Sequence, residues 1–418
     1  MRQRIAIIGS GISGLTAAYL LHKEHDIELF EANEYIGGHT NTEDVPVGGK
    51  TYPVNTGFIV FNDWTYPNFH KLMAELPVEA QKTVMSFSVK CEQSGLEYCG
   101  RSIPSLFAQR RNWLRPKFYR MVRDILRFNK QSIELLEANA IDPHQTLAEF
   151  FTEHGYHGWF VSKYIVPMGA AIWSSGEQDM LRFPALFFIR FFKNHGLLSV
   201  KNRPQWSTLI NGSRSYVEPI TAGFRDRIHL NTPVQKVVRS AEHVQVITEK
   251  GHKEFDQVIF ACHSDQALAM LAEPTSTEQD ILGALPYAKN DVVLHTDASL
   301  LPKRKQAWAA WNYHIPTSAQ SAVSVTYNMN ILQNFDDCPE TFCVTLNYDG
   351  PIDPKKIIKR FDYSHPVFTP EGMLAQARYH EIGNQNRTHF CGAYWFNGFH
   401  EDGINSALRV VKDLGIAW

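Results

Sequence analysis

The sequence predicts an α/β fold: a discontinuous Rossmann-type domain with an inserted α+β domain. Three observations carry that prediction. A β-branched run breaks into a glycine-rich loop and a helix at the N-terminus, a carboxylate closes the next apolar run, and a glycine-terminated strand feeds a helix near the C-terminus.

Ile5 to Ile8 reads as a buried parallel strand, followed by Gly9-Ser10-Gly11-Ile12-Ser13-Gly14 and a helical run from Leu15 to Leu21. In this order Gly9 allows the tight turn, Gly11 lets a pyrophosphate approach the backbone, and Gly14 lets helix and sheet pack closely. Ile12 and Ser13 stand in the loop that leads into the helix, whose N-terminal N–H groups and positive dipole end favour an anion. The second apolar run, Ile27 to Phe30, ends at Glu31, 17 positions after Gly14, where a carboxylate can accept from both hydroxyls of an adenosine ribose. Ala32 follows it in the same loop.

Composition excludes several classes. The 418 residues carry 41 Lys and Arg against 43 Asp and Glu, so the molecule as a whole has no attraction for nucleic acid. At 44% hydrophobic and 20% charged residues it is an ordinary globular chain of two or three domains. The six cysteines form no CxxC pair and no cluster with histidine at zinc-like spacing, so no metal site is expected and reduced thiols are. Because the chain opens directly on a strand, no signal peptide is expected, and the expected location is the cytoplasm.

The first unit alone leaves nicotinamide and flavin dinucleotides open, and the next feature is the glycine doublet Gly37-Gly38 in "EANEYIGGHTNT". Here the sequence resembles the superfamily of flavin-containing amine oxidases and carotenoid desaturases, whose second motif sets such a pair beside the FAD pyrophosphate. That resemblance implies a glutathione-reductase-like, amine-oxidase-like variant of the fold, with FAD held noncovalently. Relatives carry arginine after the pair where this chain has His39, followed by Thr40, so charge at the phosphate would depend on His39 protonation. "YPVNTGFIVFN" is similar to the segment that approaches the flavin ring, giving Thr56, Gly57 and Phe58. "NTPVQKVV" gives Val234 as a backbone contact on the adenine side, and "FDQVIFACHSDQAL" gives Ala261 at the end of a strand beneath the cofactor. In "HFCGAYWFNGFHEDGINSALRVVKDLG", Gly392 and Ala393 correspond to the ribityl contact. A helix from about Asp402, including Gly403 and Ile404, corresponds to the one that faces the flavin pyrimidine. Ala393 replaces the family's usual acidic residue.

Since all these positions must meet on one cofactor, residues 1–60, 204–270 and 384–418 are assigned to the FAD domain, and 61–203 and 271–383 to the substrate domain. Strands are expected in the second insert at Asp291–His295, Ala322–Tyr327 and Thr341–Tyr348. Long helical stretches are expected in the first.

Two residues are candidates for catalysis. The resemblance places Phe399 at an aromatic position flanking the substrate, and His400 beside it is a candidate proton acceptor. Amine oxidases commonly carry a lysine where this chain has Asn290, with Lys289 facing the other side of the strand. This departure counts against amine oxidation.

Charge is unevenly spread. Residues 101–130 hold nine cations and one anion, Asp124, interleaved with Phe107, Trp113, Leu114 and Tyr119. A second stretch, Arg182 to Arg203, holds five cations among Phe183, Phe187, Phe188, Phe191 and Phe192. Both suit docking at an anionic membrane surface, and equally a solvated helix face over an aromatic core. "VPMGAAIWSS", between them, suits a channel wall or ordinary helix packing.

Segments such as "NTGFIVFNDWTYPN", "FFKNHGLLSV" and "LHTDASLLP" together resemble one bacterial branch of the superfamily. These flavoproteins accompany cyclopropane-fatty-acid-synthase-like methyltransferases, including the desaturase of furan fatty acid formation. The resemblance implies an FAD-dependent oxidoreductase taking hydride from a C–H bond of a methylated acyl chain in a membrane lipid, with electrons passing to O2 or another acceptor. The alternatives are an amine or polyamine oxidase and a non-catalytic flavin-binding redox sensor or scaffold.

Overall fold

The computed structural model describes residues 2–317 and 324–418. Along the chain come β1 (Arg4–Ile8), α1 (Ile12–Leu21), β2 (Asp26–Phe30), α2 (Pro67–Glu75), β3 (Phe87–Cys91) and β4 (Leu96–Cys99). A helical layer follows: α3 (Pro116–Glu137), α4 (Leu147–Glu153), α5 (Val166–Trp173) and α6 (Ala185–Asn194). Then come β5 (Ile228–His229), β6 (Val234–Arg239), β7 (Gln257–Phe260), β8 (Tyr287–His295), β9 (Trp311–Ile315) and β10 (Ser324–Asn328). β11 (Cys343–Leu346), β12 (Ile357–Pro366), β13 (Thr388–Phe390) and α7 (His400–Asp413) complete the elements used below.

Among the described residues, one sheet has the order β5-β2-β1-β7-β13, with every pair parallel. β1 is wholly apolar after Arg4 because a central parallel strand is covered on both faces. α1 is apolar around nearly its whole circumference for the same reason, wedged between this sheet and α7. The registers Ile8↔Phe30, Ile8↔Phe260 and Phe260↔Phe390 bring four strand ends level, so that Gly9, Glu31, Ala261 and Gly392 share one edge. In open parallel sheets this is the edge where ligands bind.

The second sheet runs β12-β8-β11-β10-β9-β3-β4, antiparallel except for β9 with β3. Its strands come from residues 61–203 and 271–383, and those of the parallel sheet from 1–60, 204–270 and 384–418. One face packs under the helical layer in a core rich in aromatics, including Phe118, Phe128, Phe160, Phe188 and Phe192.

Several elements differ from the sequence-based expectation. β8 starts at Tyr287 rather than Asp291, and α7 starts at His400 rather than Asp402. Of the expected strand 322–327, Ala322 and Val323 lie outside the described residues, and β10 begins at Ser324. β12 has no counterpart in the sequence reading, yet it pairs along the whole of β8. Its stretch "IIKRFDYSHP" alternates too weakly to announce itself, because its partner strand dictates the conformation.

The aromatics of the second basic-aromatic stretch serve the core rather than an exposed face. Phe183, Phe188, Phe191 and Phe192 are buried in the core, and Arg182 pairs with Asp179 at 2.6 Å. The small residues of α5 serve packing: a Cβ on Gly169 would lie 2.7 Å from the Phe188 ring. Trp173, at the end of α5, sits among Phe183, Phe187, Phe188 and Phe191.

Candidate functional site

The cradle is built from backbone. Gly9 turns with φ +106°, donating its N–H to Phe30 O, and a Cβ there would lie 2.7 Å from Ala261 O. Gly14 leaves no space at all, since a Cβ would lie 2.0 Å from Gly9 O. Gly11, the N-cap of α1, is the opposite case: among the described residues, apart from its chain neighbours, no atom lies within 4 Å of where its Cβ would stand. α1 has neither a side-chain cap nor an acidic residue in its first turn, so its leading amides are free for an external anion.

Glu31 is buried at the end of β2. Its Oε2 accepts from Ser10 N–H (2.9 Å) and Ser10 Oγ (2.6 Å), and its Oε1 accepts from Asn33 N–H (2.8 Å). Ala32 beside it is exposed. Ser10 Oγ also accepts from Gly37 N–H at 3.1 Å, tying the two glycine loops together. Gly37 and Gly38 have φ +123° and +58°, and a Cβ on Gly38 would lie 3.3 Å from Gly11 Cα. Thus the doublet rests on the first loop. Val234 opens β6 just beyond Thr232, whose N–H bonds Glu31 O (2.9 Å), and so stands at the Glu31 end of the cradle.

At the other end, Gly392 donates its N–H to Ser406 Oγ (2.8 Å) on α7, and Ala393 starts a short turn. Gly403 brings α7 against α1, since a Cβ there would lie 2.6 Å from Ile12 Cγ2 and 3.0 Å from Ser13 Oγ. Ile404 is buried behind them. Asp402 accepts from Phe399 N–H at 2.9 Å, and its burial raises its carboxyl to about 7. Glu401 turns away to cap α2, accepting from Asn68 and Phe69 N–H at 2.9 and 2.8 Å.

Between these ends lies a polar cluster. Thr40 Oγ1, Tyr216 Oη and His400 Nε2 meet, with Tyr216 2.6 Å from Thr40 and 2.8 Å from His400. Gly57 presses on His39, with its Cβ position 2.2 Å from His39 O, and Phe58 donates its N–H to that carbonyl (2.8 Å). Thr56 Oγ1 is 2.9 Å from Tyr363 Oη, which also accepts from Asn41 Nδ2. His39 Nε2 is buried with no hydrogen-bond partner among the described residues, while its ring lies 4.8 Å from Tyr363 and 5.5 Å from His365. Burial, reinforced by His365 and His263, holds the His39 imidazole well below its ordinary range. A buried nitrogen with no partner among the described residues, one position after the glycine doublet, fits a ligand group that supplies the missing partner.

The candidate catalytic residues sit differently from one another. His400 is locked to Tyr216, and burial lowers its imidazole to about 3. Phe399 packs against Phe191 (5.3 Å) and His195 (5.8 Å). Asn290 is buried and bonded to Asn347 (2.8 Å), whereas Lys289 is exposed on the other side of β8. Sequence reasoning missed Tyr216, Tyr363, His365 and Ser406. The last three reach the site through β12 and α7, and only the i, i+2 spacing of Tyr363 and His365 offered a signal. His365 Nδ1 is 3.1 Å from Ser174 Oγ at the end of α5 and so links the polar cluster to the aromatic one.

A strand-end glycine loop packed tight at Gly9 and Gly14 and open at Gly11, a second glycine pair lying on it, a buried ribose-type carboxylate and a converging helix define an FAD-binding oxidoreductase fold. The profile of the flavin containing amine oxidoreductases matches residues 12–329. The chain belongs to that family, and its cofactor is FAD. Cyclohexylamine oxidase from Brevibacterium oxydans has the same fold, with a TM-score of 0.72 and 16% identity over 99% of this chain and 100% of that one. So does a CLA-producing fatty acid isomerase from P. acnes, with a TM-score of 0.70 and 14% identity over 98% of each chain. The L-amino-acid oxidase of Pseudechis australis is 24% identical over 292 residues, 62% of this chain. The chain spans about half the length of the curated relatives it matches.

Proposed function

We propose that this protein is an FAD-dependent oxidoreductase that dehydrogenates an apolar substrate, an acyl chain of a membrane lipid. Residues 1–60, 204–270 and 384–418 hold the cofactor, and 61–203 with 271–383 hold the substrate. Bound FAD supplies a hydride acceptor at N5. In this reading Glu31 orients the adenosine ribose, the α1 amides with Gly11 and Gly38 receive the pyrophosphate, and Gly392 with Gly403 lie along the ribityl and pyrimidine side.

The observation that carries the substrate reading is an aromatic cluster packed beside Phe399 at the start of α7. Trp173, Phe187, Phe191, Phe368 and Phe399 converge from α5, α6, the end of β12 and the start of α7. An alkyl chain bound against these rings would be held by apolar contact and kept from water, which is most of what hydride transfer asks of the protein. The family's frequent lysine is replaced by the neutral, hydrogen-bonded Asn290. A fold shared with both amine oxidases and a fatty acid isomerase accommodates either substrate class.

Oxidation of a soluble amine is the second reading, favoured by the family itself. Product analysis separates them. Incubation with phospholipid bearing methylated acyl chains should yield chains lacking two hydrogens, with no product from putrescine, cyclohexylamine or L-amino acids. Peroxide formed with an amine, and lipid recovered unchanged, would replace the first reading with the second.

A further inference from the structure

The 101–130 segment separates its apolar residues onto two faces. Phe118, Met121 and Phe128 of α3 are buried, so the core is already served. On the outer side Ile103, Trp113, Leu114, Tyr119 and Leu126 stand in solvent, with Leu114 at 87% exposure and Trp113 at 53%. Isolated exposed apolar residues need no explanation, but a cluster of them does. This one is held in shape: Trp113 stacks on Phe107 at 3.9 Å, and Tyr119 Oη donates to Trp113 O at 3.1 Å.

Cations share the segment. Arg101, Arg110, Arg111, Lys117, Arg120 and Arg123 are all exposed along it. The single acid of the segment, Asp124, is buried beside Arg120 and Arg123. The fold then adds a charge run that sequence proximity does not: the turn bearing Lys303, Arg304 and Lys305 packs beside the 103–106 helix. Buried Glu97 fixes this turn by accepting from Lys303 N–H (3.0 Å) and Arg304 N–H (3.2 Å), leaving the three side chains exposed. On a chain of net charge −2, this face is a concentrated positive surface with an apolar tip.

We propose that this face, residues 103–126 with the 303–305 turn, docks on an anionic lipid bilayer, Trp113 and Leu114 entering the headgroup region while the cations of the same face hold lipid phosphates. Charge complementarity names the occupant. An acidic protein or polyanion would use the cations, but it would not require a leucine almost wholly in solvent, whereas the interfacial zone of a bilayer takes both. Docking would present an acyl substrate, yet it stands without that substrate.

The test is cosedimentation of the FAD-loaded full chain with phosphatidylglycerol vesicles and with phosphatidylcholine vesicles. The expected result is binding to the first, roughly tenfold or more weaker binding to the second, and loss in high salt. Trp113→Ala with Leu114→Ala should weaken binding at unchanged thermal stability. Arg110→Gln with Lys117→Gln should weaken it by about 25-fold, about fivefold per cation. Equal binding to both lipids, insensitivity to the Trp113/Leu114 pair, or equally tight binding to soluble polyglutamate would overturn the proposal. Flavin bleaching by acyl substrate dispersed in detergent is measured in parallel. Bleaching without docking rejects this surface and leaves the proposed function, and docking without bleaching does the reverse.

Discussion

The imidazole of His400 lies flat against the ring of Phe58, with centroids 3.7 Å apart and planes 5° from parallel. The same imidazole meets Tyr216 Oη through Nε2. With its ionisation lowered to about 3 by burial, it stays neutral from pH 5 upward and is a poor proton store. His400→Phe, which keeps the stack, should therefore change the rate of flavin reduction by less than about tenfold, and the pH–rate profile should show no inflection from this residue. A fall of about 10²–10⁴-fold would instead identify His400 as a general base.

Gly11 and Gly14 make opposite predictions within one loop. Gly14→Ala drives a methyl into Gly9 O and should destabilise the fold itself. Gly11→Ala meets no atom among the described residues apart from its chain neighbours and should leave the far-ultraviolet spectrum and melting of the flavin-free chain unchanged. It should nevertheless lose bound flavin, because its methyl occupies the approach to the pyrophosphate. Flavin content of purified variants, beside their melting curves, checks both.

His389 in β13 is buried, with neither ring nitrogen hydrogen-bonded among the described residues, and burial lowers it to about 4. Its folded ionisation lies below its unfolded value of ~6.5, so the unfolded chain binds more protons between the two. The contribution is fully present above pH ~6.5 and is lost as pH falls toward 4, by up to about 1.4 kcal/mol per pH unit. His295, also lowered to about 4, acts in the same direction, whereas Asp402, raised to about 7, opposes them. Thermal melts should show stability declining below pH 6.5, and His389→Leu should flatten that decline.

Arg239 on β6 and Glu278 form a buried ion pair, with Arg239 Nη2 2.9 Å from Glu278 Oε2. Thr275 N–H shares the carboxylate, and burial alone would raise it, yet the arginine holds Glu278 below the usual carboxylate range. Arg239→Leu leaves that carboxylate stranded and should cost about 3–5 kcal/mol in denaturant unfolding. The double replacement Arg239→Leu with Glu278→Leu should recover most of the loss.

Local chemistry explains which parts were legible in the sequence. Gly9, Gly11, Gly14 and Glu31 follow from one strand–loop–helix unit whose requirements are met within 31 residues, so pattern and spacing suffice. Gly37, Gly392 and Gly403 were reachable only through resemblance, because nothing local says that loops hundreds of residues apart meet. Tyr216 and Tyr363 were not legible, since their role is to tie Thr40 and Thr56 across 176 and 307 positions of sequence. The exposed basic-apolar face was half legible. The charge run stood out, but the exposure of Leu114 and the arrival of residues 303–305 depend on packing. The second aromatic stretch misled for the same reason, its periodicity being that of a core helix.

The most direct test of the central claim is anaerobic mixing of the flavin-loaded protein with phospholipid carrying methylated acyl chains, following the flavin band near ~450 nm. Bleaching by that lipid, with none by putrescine, cyclohexylamine or L-amino acids, is the result this account predicts. An unchanged band with lipid, and bleaching with an amine, would contradict it.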